Sequence, residues 1–375
     1  MKKKFNVGIT VYIKEPTESL FSNGLKQNAI TFLETFSKCK NVDKVYFINL
    51  GEQKDLSQSP WKAYSDHIID FDQALEKIDL AVTVAVTFTD EMLEKLVAKN
   101  IKIVKHVLGT EYHLIVESML FGSKANSGYK RRNHHSAVWI SPHIYPTNKD
   151  LMEAICRCPA YEAPFVWSPK FLEEDVEACK KSINISGVYE TKDKEKRISV
   201  FEPNLNVVKN SLTPIITGEK FYRKAPELLK KVSLFCANEI KTKPILVDFV
   251  KDLDVYANKK MFFESRYRIA WSLFNHTDIV LCHQRDLALN YLYFDAAWLG
   301  FPVVHNAHMV KELGYYYEGF DAEAAADQLV YVAKNFDNEK AEYLKKSREY
   351  ISKFLPDHPR NVKGYEKLIA QVMKS

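Results

Sequence analysis

The chain has 375 residues, of which 46% are hydrophobic and 27% are charged, and its formal net charge is +5. This length accommodates two domains of ordinary size, and the apolar content excludes a largely disordered protein. No apolar run approaches the roughly 20 residues that cross a bilayer, and the N-terminus lacks a signal-peptide pattern, so we expect a cytoplasmic protein.

The first part of the chain alternates strand-like and helix-like segments. Short β-branched runs predict buried strands, and a 3.6-residue hydrophobic period predicts helices. The predicted order is strand 5–13, helix 24–39, strands 44–50 and 67–70, helix 71–77, strand 80–84, helix 91–99, strand 101–107, helix 111–121, strand 137–141 and helix 148–156. This alternation predicts an α/β domain with a doubly wound parallel sheet, which we assign to residues 1–170.

A charged stretch at 169–196 precedes a second alternating series. The predicted order is strand 197–201, helix 223–237, strands 244–250 and 278–282, helix 290–299, strand 303–306, and helices 322–335, 340–354 and 361–373. We assign residues 190–354 to a C-terminal domain. The last helix, within about 355–375, is expected to cross back to the first domain.

The segment 278–306 is the most informative, because its strand–helix–strand pattern indicates a parallel crossover. Gly300 is suited to end the helix in a left-handed conformation, and Pro302 prevents the helix from resuming. Four polar residues follow the carboxyl ends of the two strands, where open α/β sheets bind ligands: His283, Gln284, His305 and Asn306. The helix start at Asn290 and Tyr291 offers free N–H groups to a diphosphate.

Three further candidates follow the strand 197–201. Lys209 is placed to offset charge on a diphosphate leaving group, although a solvated lysine on a helix has the same sequence pattern. Glu202 and Asn204 either bind hydroxyl groups of a ligand or cap the next helix. Asp295 lies on an otherwise apolar helix face and needs a partner if it is buried, either a ribose diol or a backbone amide.

These residues also carry a resemblance to a known class of proteins. The order strand, loop, helix with Asp295–Ala296, Gly-x-Pro and strand resembles the donor-binding segment of GT-B glycosyltransferases, which have two facing Rossmann-like domains with a cleft between them. In retaining members an acid on this helix bonds the ribose of the nucleotide-sugar, and Asp295 matches it. The second acid of that motif is replaced by Leu287, so the two-acid motif is broken.

A narrower likeness is to a poorly characterised branch that includes bacteriophage proteins that glycosylate modified DNA bases. The shared segments are FEPN…K at 201–209, the His-Gln pair, the VHN end of the second strand and GYYYEGFD at 314–321. The resemblance implies a nucleotide-sugar donor, with a UDP-sugar as the favoured one, and metal-independent catalysis. It also brings the Asn23–Gly24 loop close to the donor, although an ordinary helix cap is the alternative for these two residues.

Neither a cofactor nor a metal is predicted from the residues. The six cysteines are scattered and do not form paired ligand sets, so we expect reduced thiols. The sequence contains neither GxGxxG nor GxxxxGK[ST], which makes a conventional dinucleotide or P-loop site unexpected.

The stretch 118–149 contains no Asp or Glu, although the whole chain is only weakly basic. Its candidate nucleic-acid-binding residues are Lys124, Tyr129, Lys130, Arg131, Arg132, His134 and His135. Basic loops with aromatic residues contact phosphates and unstacked bases, but they also bind membranes or anionic glycans, or remain solvated. His143 is a candidate general base for an acceptor hydroxyl, or a structural histidine.

The resulting hypothesis is a glycosyltransferase in which His143, Lys209 and His283 are catalytic. The favoured acceptor is a hydroxylated or hydroxymethylated cytosine in double-stranded phage DNA, reached by base flipping in the host cytoplasm. The alternatives are transfer to a surface glycan or lipid-linked sugar, a nucleotide-sugar epimerase, and a DNA-binding protein without catalytic activity.

Overall fold

In the computed structural model, the described residues are 4–15, 24–53, 60–84, 86–122, 134–191 and 193–374. The chain divides into two compact units, one of Met1–Ser168 with Lys353–Ser375 and one of Pro169–Ser352. The charged stretch that precedes the second alternating series therefore lies in the second unit.

The first unit is built on a seven-stranded parallel sheet. Its strands are β1 (Phe5–Val11), β2 (Val42–Asn49), β3 (Ile68–Ile69), β4 (Leu80–Thr83), β5 (Lys102–Val107), β6 (Ala137–Ile140) and β7 (Ala160–Glu162). They are ordered β3-β2-β1-β4-β5-β6-β7, and every pair is parallel. The strands β4 and β6 are buried along their whole length, as expected for a sheet covered on both faces.

Among the described residues of this unit, five helices alternate with these strands: α1 (Gly24–Phe36), α2 (Phe71–Lys77), α3 (Asp90–Ala98), α4 (Glu111–Phe121) and α5 (Tyr145–Cys156). The start of α2 is set by a capping box in which Asp70 accepts from the Gln73 backbone and the Gln73 side chain accepts from the Asp70 backbone. The end of α4 is set by Gly122, which takes a left-handed conformation. Local sequence signals therefore define both boundaries.

The second unit is built on a six-stranded parallel sheet. Its strands are β8 (Lys196–Val200), β9 (Leu229–Leu234), β10 (Met261–Phe263), β11 (Ile279–Leu281), β12 (Val303–His305) and β13 (Tyr315–Tyr316), in the order β10-β9-β8-β11-β12-β13. The helices are α6 (Lys170–Lys180), α7 (Leu212–Lys224), α8 (Pro244–Val250), α9 (Asp254–Ala257), α10 (Ile269–His276), α11 (Tyr291–Trp298) and α12 (Ala322–Ser352). This strand order is that of a doubly wound nucleotide-binding sheet. Successive strands are added on one side of β8 up to β10 and then on its other side from β11 onward, so the point of reversal lies between β8 and β11.

A buried ion pair joins the two central strands of this sheet at their amino ends. The Arg197 guanidinium donates to both carboxylate oxygens of Asp278, at 2.8 and 2.7 Å, and the Arg197 backbone N–H donates to the same carboxylate. Further guanidinium bonds reach the carbonyl oxygens of Asn275 and Thr277. Because the charges and donors are matched, the pair holds β8 and β11 in register without leaving a buried charge uncompensated.

The C-terminal helix, α13 (Pro359–Val372), belongs to the first unit. Its Tyr365 is fully buried, and the Tyr365 hydroxyl lies 2.9 Å from His106 Nε2 on β5 and donates to the Pro164 carbonyl oxygen. Burial lowers the pKa of His106 to about 3, so the ring is neutral where it meets this hydroxyl. The last helix is thereby attached to the core of the first sheet.

Four predicted elements of the second unit were wrong. Residues 244–250 form the helix α8 rather than a strand, and Pro244 occupies its first turn, where a proline is tolerated. The helix predicted at 223–237 contains the end of α7 and the strand β9, because Pro226 interrupts the helical pattern. The two helices predicted at 322–335 and 340–354 are the single helix α12.

Among the described residues, no helix has the length and apolarity required to cross a membrane.

Candidate functional site

The candidate site lies at the reversal point of the second sheet, past the carboxyl ends of β8 and β11. These strands are direct neighbours, with Ile198 beside Ile279 and Ser199 beside Val280. Glu202 and His283 each follow two residues after the end of their strand. The parallel register therefore brings the two side chains to one position on the sheet edge, where doubly wound folds bind nucleotides.

Glu202 is 2% exposed. Burial raises the pKa of Glu202 to about 7, against the opposing effects of the Lys209 charge and of the His283 backbone N–H, which both favour the ionised form. Near neutral pH this carboxyl group is therefore divided between its neutral and anionic forms.

Lys209 is half-buried in the loop between β8 and α7. Its backbone N–H donates to both the side-chain and the backbone oxygen of Asn206, at 3.0 and 3.2 Å, which closes a tight turn. The Lys209 charge favours the ionised form of Glu202. The sequence placed Lys209 after a strand's carboxyl end, and the structure places it in the loop that follows β8.

Asn204 shapes this loop rather than facing outward. It has a positive φ of 54°, and its amide donates to the Glu202 carbonyl oxygen at 2.8 Å while its side-chain oxygen accepts from the Ser211 N–H at 2.8 Å. The second bond holds Ser211, the residue that precedes α7, and agrees with the alternative that Asn204 supports the start of the next helix. We therefore do not retain Asn204 among the donor ligands.

His283 is 5% exposed, and its two ring nitrogens have different hydrogen-bonding surroundings. Nδ1 lies 2.9 Å from the Tyr317 hydroxyl oxygen, whereas Nε2 is buried and has no hydrogen-bond partner within the part of the chain that the structure describes. Burial lowers the pKa of His283 to about 4, so the ring is neutral at physiological pH. Phe320, which is 61% exposed, lies against this ring with centroids 4.6 Å apart.

Gln284 and Asn306 bind each other and hold the loops after β11 and β12 together. The Gln284 N–H donates to Asn306 Oδ1 at 2.8 Å, and Asn306 Nδ2 donates back to the Gln284 carbonyl oxygen at 2.9 Å and to that of Gly319. The Gln284 side chain accepts from the Leu287 N–H and donates to the Asn306 carbonyl oxygen. Both amides thus join these loops, and their bonds use both side-chain N–H groups of Asn306 and one of the two of Gln284.

His305 is fully buried, and both of its nitrogens bond to backbone groups. Nδ1 accepts from the Ala307 N–H at 3.0 Å, and Nε2 donates to the Leu313 carbonyl oxygen. The ring also stacks on Tyr293 of α11, with centroids 5.7 Å apart. His305 is therefore a structural residue that joins β12 to the loop before β13, and we do not retain it as a donor ligand.

The helix α11 begins beside this edge. Asn290 is its N-cap and accepts from the Leu292 N–H at 3.2 Å, so one of the free N–H groups is already satisfied. Tyr291 and Asp295 are half-buried on the helix. Leu287, where the resembled motif has an acid, is an almost buried apolar side chain at 6% exposure. Asp295 is consequently the one acid of that motif that the chain retains.

Tyr317 was missed as a functional residue, because a tyrosine cluster after Gly314 is more often part of a core. It is 2% exposed, but its hydroxyl lies 2.9 Å from His283 Nδ1 and donates to the Cys282 carbonyl oxygen at 3.1 Å. No local signal links it to a histidine 34 positions earlier. Only the pairing of β13 beside β12, and of β12 beside β11, brings the two rings together.

The remaining predicted residues belong to the first unit. Gly24 begins α1, is exposed and has open space where a Cβ would be. His143 lies in a short 3-10 turn after β6 and contacts the Phe165 ring edge-on. His134 is half-buried and His135 is buried, which is unlike a solvated basic loop. The others lie outside the described residues: Asn23, Lys124, Tyr129, Lys130, Arg131 and Arg132.

The two parallel-sheet units define the chain's class as the GT-B fold of glycosyltransferases. An O-GlcNAc transferase from Thermobaculum terrenum superposes with a TM-score of 0.58 at 12% identity, covering 100% of this chain and 68% of that one. HepE from Anabaena, solved with UDP-glucose, has a TM-score of 0.54 at 12% identity, and the superposition covers 98% of this chain and 100% of HepE. A glycosyltransferase from Rickettsia africae gives 0.53 at 12% identity, covering 99% of each chain. The predicted fold class is confirmed.

The chain belongs to the family described as protein of unknown function DUF2827, whose profile matches residues 7–369. No curated protein sequence matches it significantly.

Proposed function

We propose that this protein is a glycosyltransferase that moves a sugar from a nucleotide-diphosphate sugar to a hydroxyl group. The observation that carries the proposal is the convergence of Glu202, Lys209 and His283 at the reversal point between β8 and β11. A cation, a carboxyl that titrates near neutrality and a neutral imidazole can bind a diphosphate and the sugar beside it.

Lys209 is the proposed diphosphate ligand. Its ammonium offsets the charge that develops on the leaving nucleotide diphosphate, an electrostatic role that needs no proton transfer. The N-terminal turn of α11 contributes its remaining N–H groups and its positive dipole end. Asp295 is the proposed ribose ligand, because it is the half-buried acid on this helix. UDP is the favoured nucleotide, since HepE, a protein of the same fold, is solved with UDP-glucose.

The proposal for the acceptor is based on the sequence. The choice of hydroxylated or hydroxymethylated cytosine in DNA rests on the acid-free stretch 118–149 and on the likeness to phage proteins. The basic core of that stretch lies outside the described residues, so the structure adds no contact in its favour. A surface glycan or lipid-linked sugar is the competing acceptor, and His143 keeps its proposed role as general base for either.

The test combines donor binding with product analysis. Purified protein is titrated with a panel of UDP-, GDP- and ADP-sugars by calorimetry, then incubated with the bound donor and with plain or hydroxymethylated DNA or a glycan mixture. We expect one nucleotide-sugar to bind, its nucleotide diphosphate to be released, and one acceptor to gain the mass of the sugar.

Substitution of the proposed diphosphate ligand controls the binding measurement. Lys209→Met is expected to weaken donor binding at least tenfold, whereas Lys241→Met, which removes an exposed lysine of the same unit, leaves it unchanged. Conversion of the donor into an isomeric nucleotide-sugar without any acceptor would establish an epimerase instead. DNA retention without binding of any nucleotide-sugar would leave only the DNA-binding alternative.

A further inference from the structure

The hydrogen bonds around His283 determine which of its ring nitrogens carries the proton. The Tyr317 hydroxyl lies between two groups, the Cys282 carbonyl oxygen at 3.1 Å and His283 Nδ1 at 2.9 Å. A carbonyl oxygen only accepts, so the single hydroxyl hydrogen of Tyr317 is directed to Cys282. The hydroxyl oxygen then has lone pairs for His283, and Nδ1 must be the donor.

The protonation state of Nε2 follows from the number of hydrogens on the ring. A neutral imidazole has one N–H, and burial keeps His283 neutral by lowering its pKa to about 4. With the proton on Nδ1, Nε2 has a bare lone pair that can only accept. That atom is buried and receives no hydrogen bond within the described part of the chain. A buried polar atom without a partner is costly, and it marks a position where a ligand group fits.

We propose that Tyr317 is a positioning residue that holds His283 as the Nδ1–H tautomer, so that Nε2 accepts a hydrogen bond from a hydroxyl of the donor's sugar. The proposal rests on the proposed function and specifies a subsite within it.

The chemistry of the lone pair selects the ligand group. Phosphate oxygens are acceptors and would repel Nε2, so the diphosphate is left to Lys209, whereas a sugar hydroxyl supplies the missing hydrogen. The Tyr317 hydroxyl fixes the His283 ring before a ligand arrives, which is the preorganisation that a specific polar contact needs.

Phe320 explains how a ligand reaches a buried atom. Its ring covers His283 at 4.6 Å, yet Phe320 is itself 61% exposed. Displacement of this side chain by a sugar uncovers the imidazole without disturbing the core around Tyr317.

The tautomer is measurable in the intact protein without any ligand. Protein labelled with ¹⁵N-histidine is studied by long-range ¹H–¹⁵N NMR, and the His283 signals are assigned by their loss in His283→Gln. We expect a protonated Nδ1 and an unprotonated Nε2 in the native protein, and a mixture of both tautomers in Tyr317→Phe. Tyr316→Phe is the matched control, since the Tyr316 hydroxyl bonds to Glu318 at the surface.

A protonated Nε2 in the native protein, or an unchanged tautomer in Tyr317→Phe, would overturn the positioning role. Should Tyr317→Phe fail to fold, the spectrum of the native protein still decides the tautomer.

The ligand part is tested by the same signals. A nucleotide-sugar is expected to shift the ¹⁵N resonance of Nε2, whereas the nucleotide diphosphate alone leaves that resonance unchanged. Tyr317→Phe is expected to raise the KM for the nucleotide-sugar about three- to tenfold with little change in kcat. A shift caused by the nucleotide alone would identify a nucleobase N–H instead and refute the sugar contact. If no nucleotide-sugar binds, the proposed function fails together with the sugar contact, while the tautomer result stands separately.

Discussion

Replacement of Glu202 by glutamine tests whether this buried carboxyl group titrates near neutral pH. The pKa of Glu202 rises from an ordinary value of 4.5 to about 7 in the folded protein, because burial disfavours the charged form. At 1.36 kcal/mol per pH unit, this difference corresponds to a cost of about 3 kcal/mol when the group is ionised at high pH.

The sign of the pH dependence follows from proton binding. Below pH 4.5 the group is protonated in both the folded and unfolded chain, so ionisation costs nothing. Between pH 4.5 and 7 the folded protein keeps a proton that the unfolded chain releases, and stability falls as the pH rises. Glutamine carries no such cost, because its amide does not ionise in this pH range. Glu202→Gln should therefore match the native protein at pH 4.5 and exceed it by about 3 kcal/mol at pH 8.

The assay is urea unfolding at several pH values, with pulsed hydrogen exchange and mass spectrometry to follow peptides from β8 and β11. This readout isolates the second unit, because the two units need not unfold together. Glu227→Gln, an exposed carboxyl in the same unit, is the control and should show no comparable pH-dependent gain. A difference between Glu202→Gln and the native protein that stays constant from pH 4.5 to 8 would refute the reasoning.

Three further substitutions test the site and the sheet around it. Arg197→Met leaves the Asp278 carboxylate buried without its partner and should destabilise the second unit by about 3–5 kcal/mol in urea unfolding, whereas Lys251→Met, at a surface ion pair, should cost less than about 1 kcal/mol. Gly314→Ala places a Cβ 2.4 Å from the Val303 carbonyl oxygen at a φ of +93° and should cost at least about 2 kcal/mol, while Gly24→Ala, with open space, should be nearly neutral. Asp295→Asn should weaken UDP binding about tenfold by calorimetry and leave the affinity for 2′,3′-dideoxy-UDP unchanged, and an equal loss for both nucleotides would exclude a ribose contact.

The alternating pattern of the chain was enough to predict the fold class, because buried parallel strands and amphipathic helices have different hydrophobic periods. The helix predicted at 71–77 has these bounds in the structure, where a capping box of Asp70 and Gln73 begins it. The segments 223–237 and 244–250 were misassigned because short apolar runs fit a helix and a strand equally well. In the structure, 229–234 joins the sheet as β9, whereas 244–250 is the helix α8 outside the sheet.

For the site, the sequence by itself determined which residues follow the carboxyl ends of the strands, including Glu202, Lys209 and His283. Strand position does not reveal what a side chain bonds to. The tertiary structure assigned His305 and Asn306 to the protein's own loops, and it brought Tyr317 to His283 through strand pairing across β11, β12 and β13. It also decided the charge of the site, because a carboxyl acquires a pKa near 7 only when the packed sheet removes water from around it.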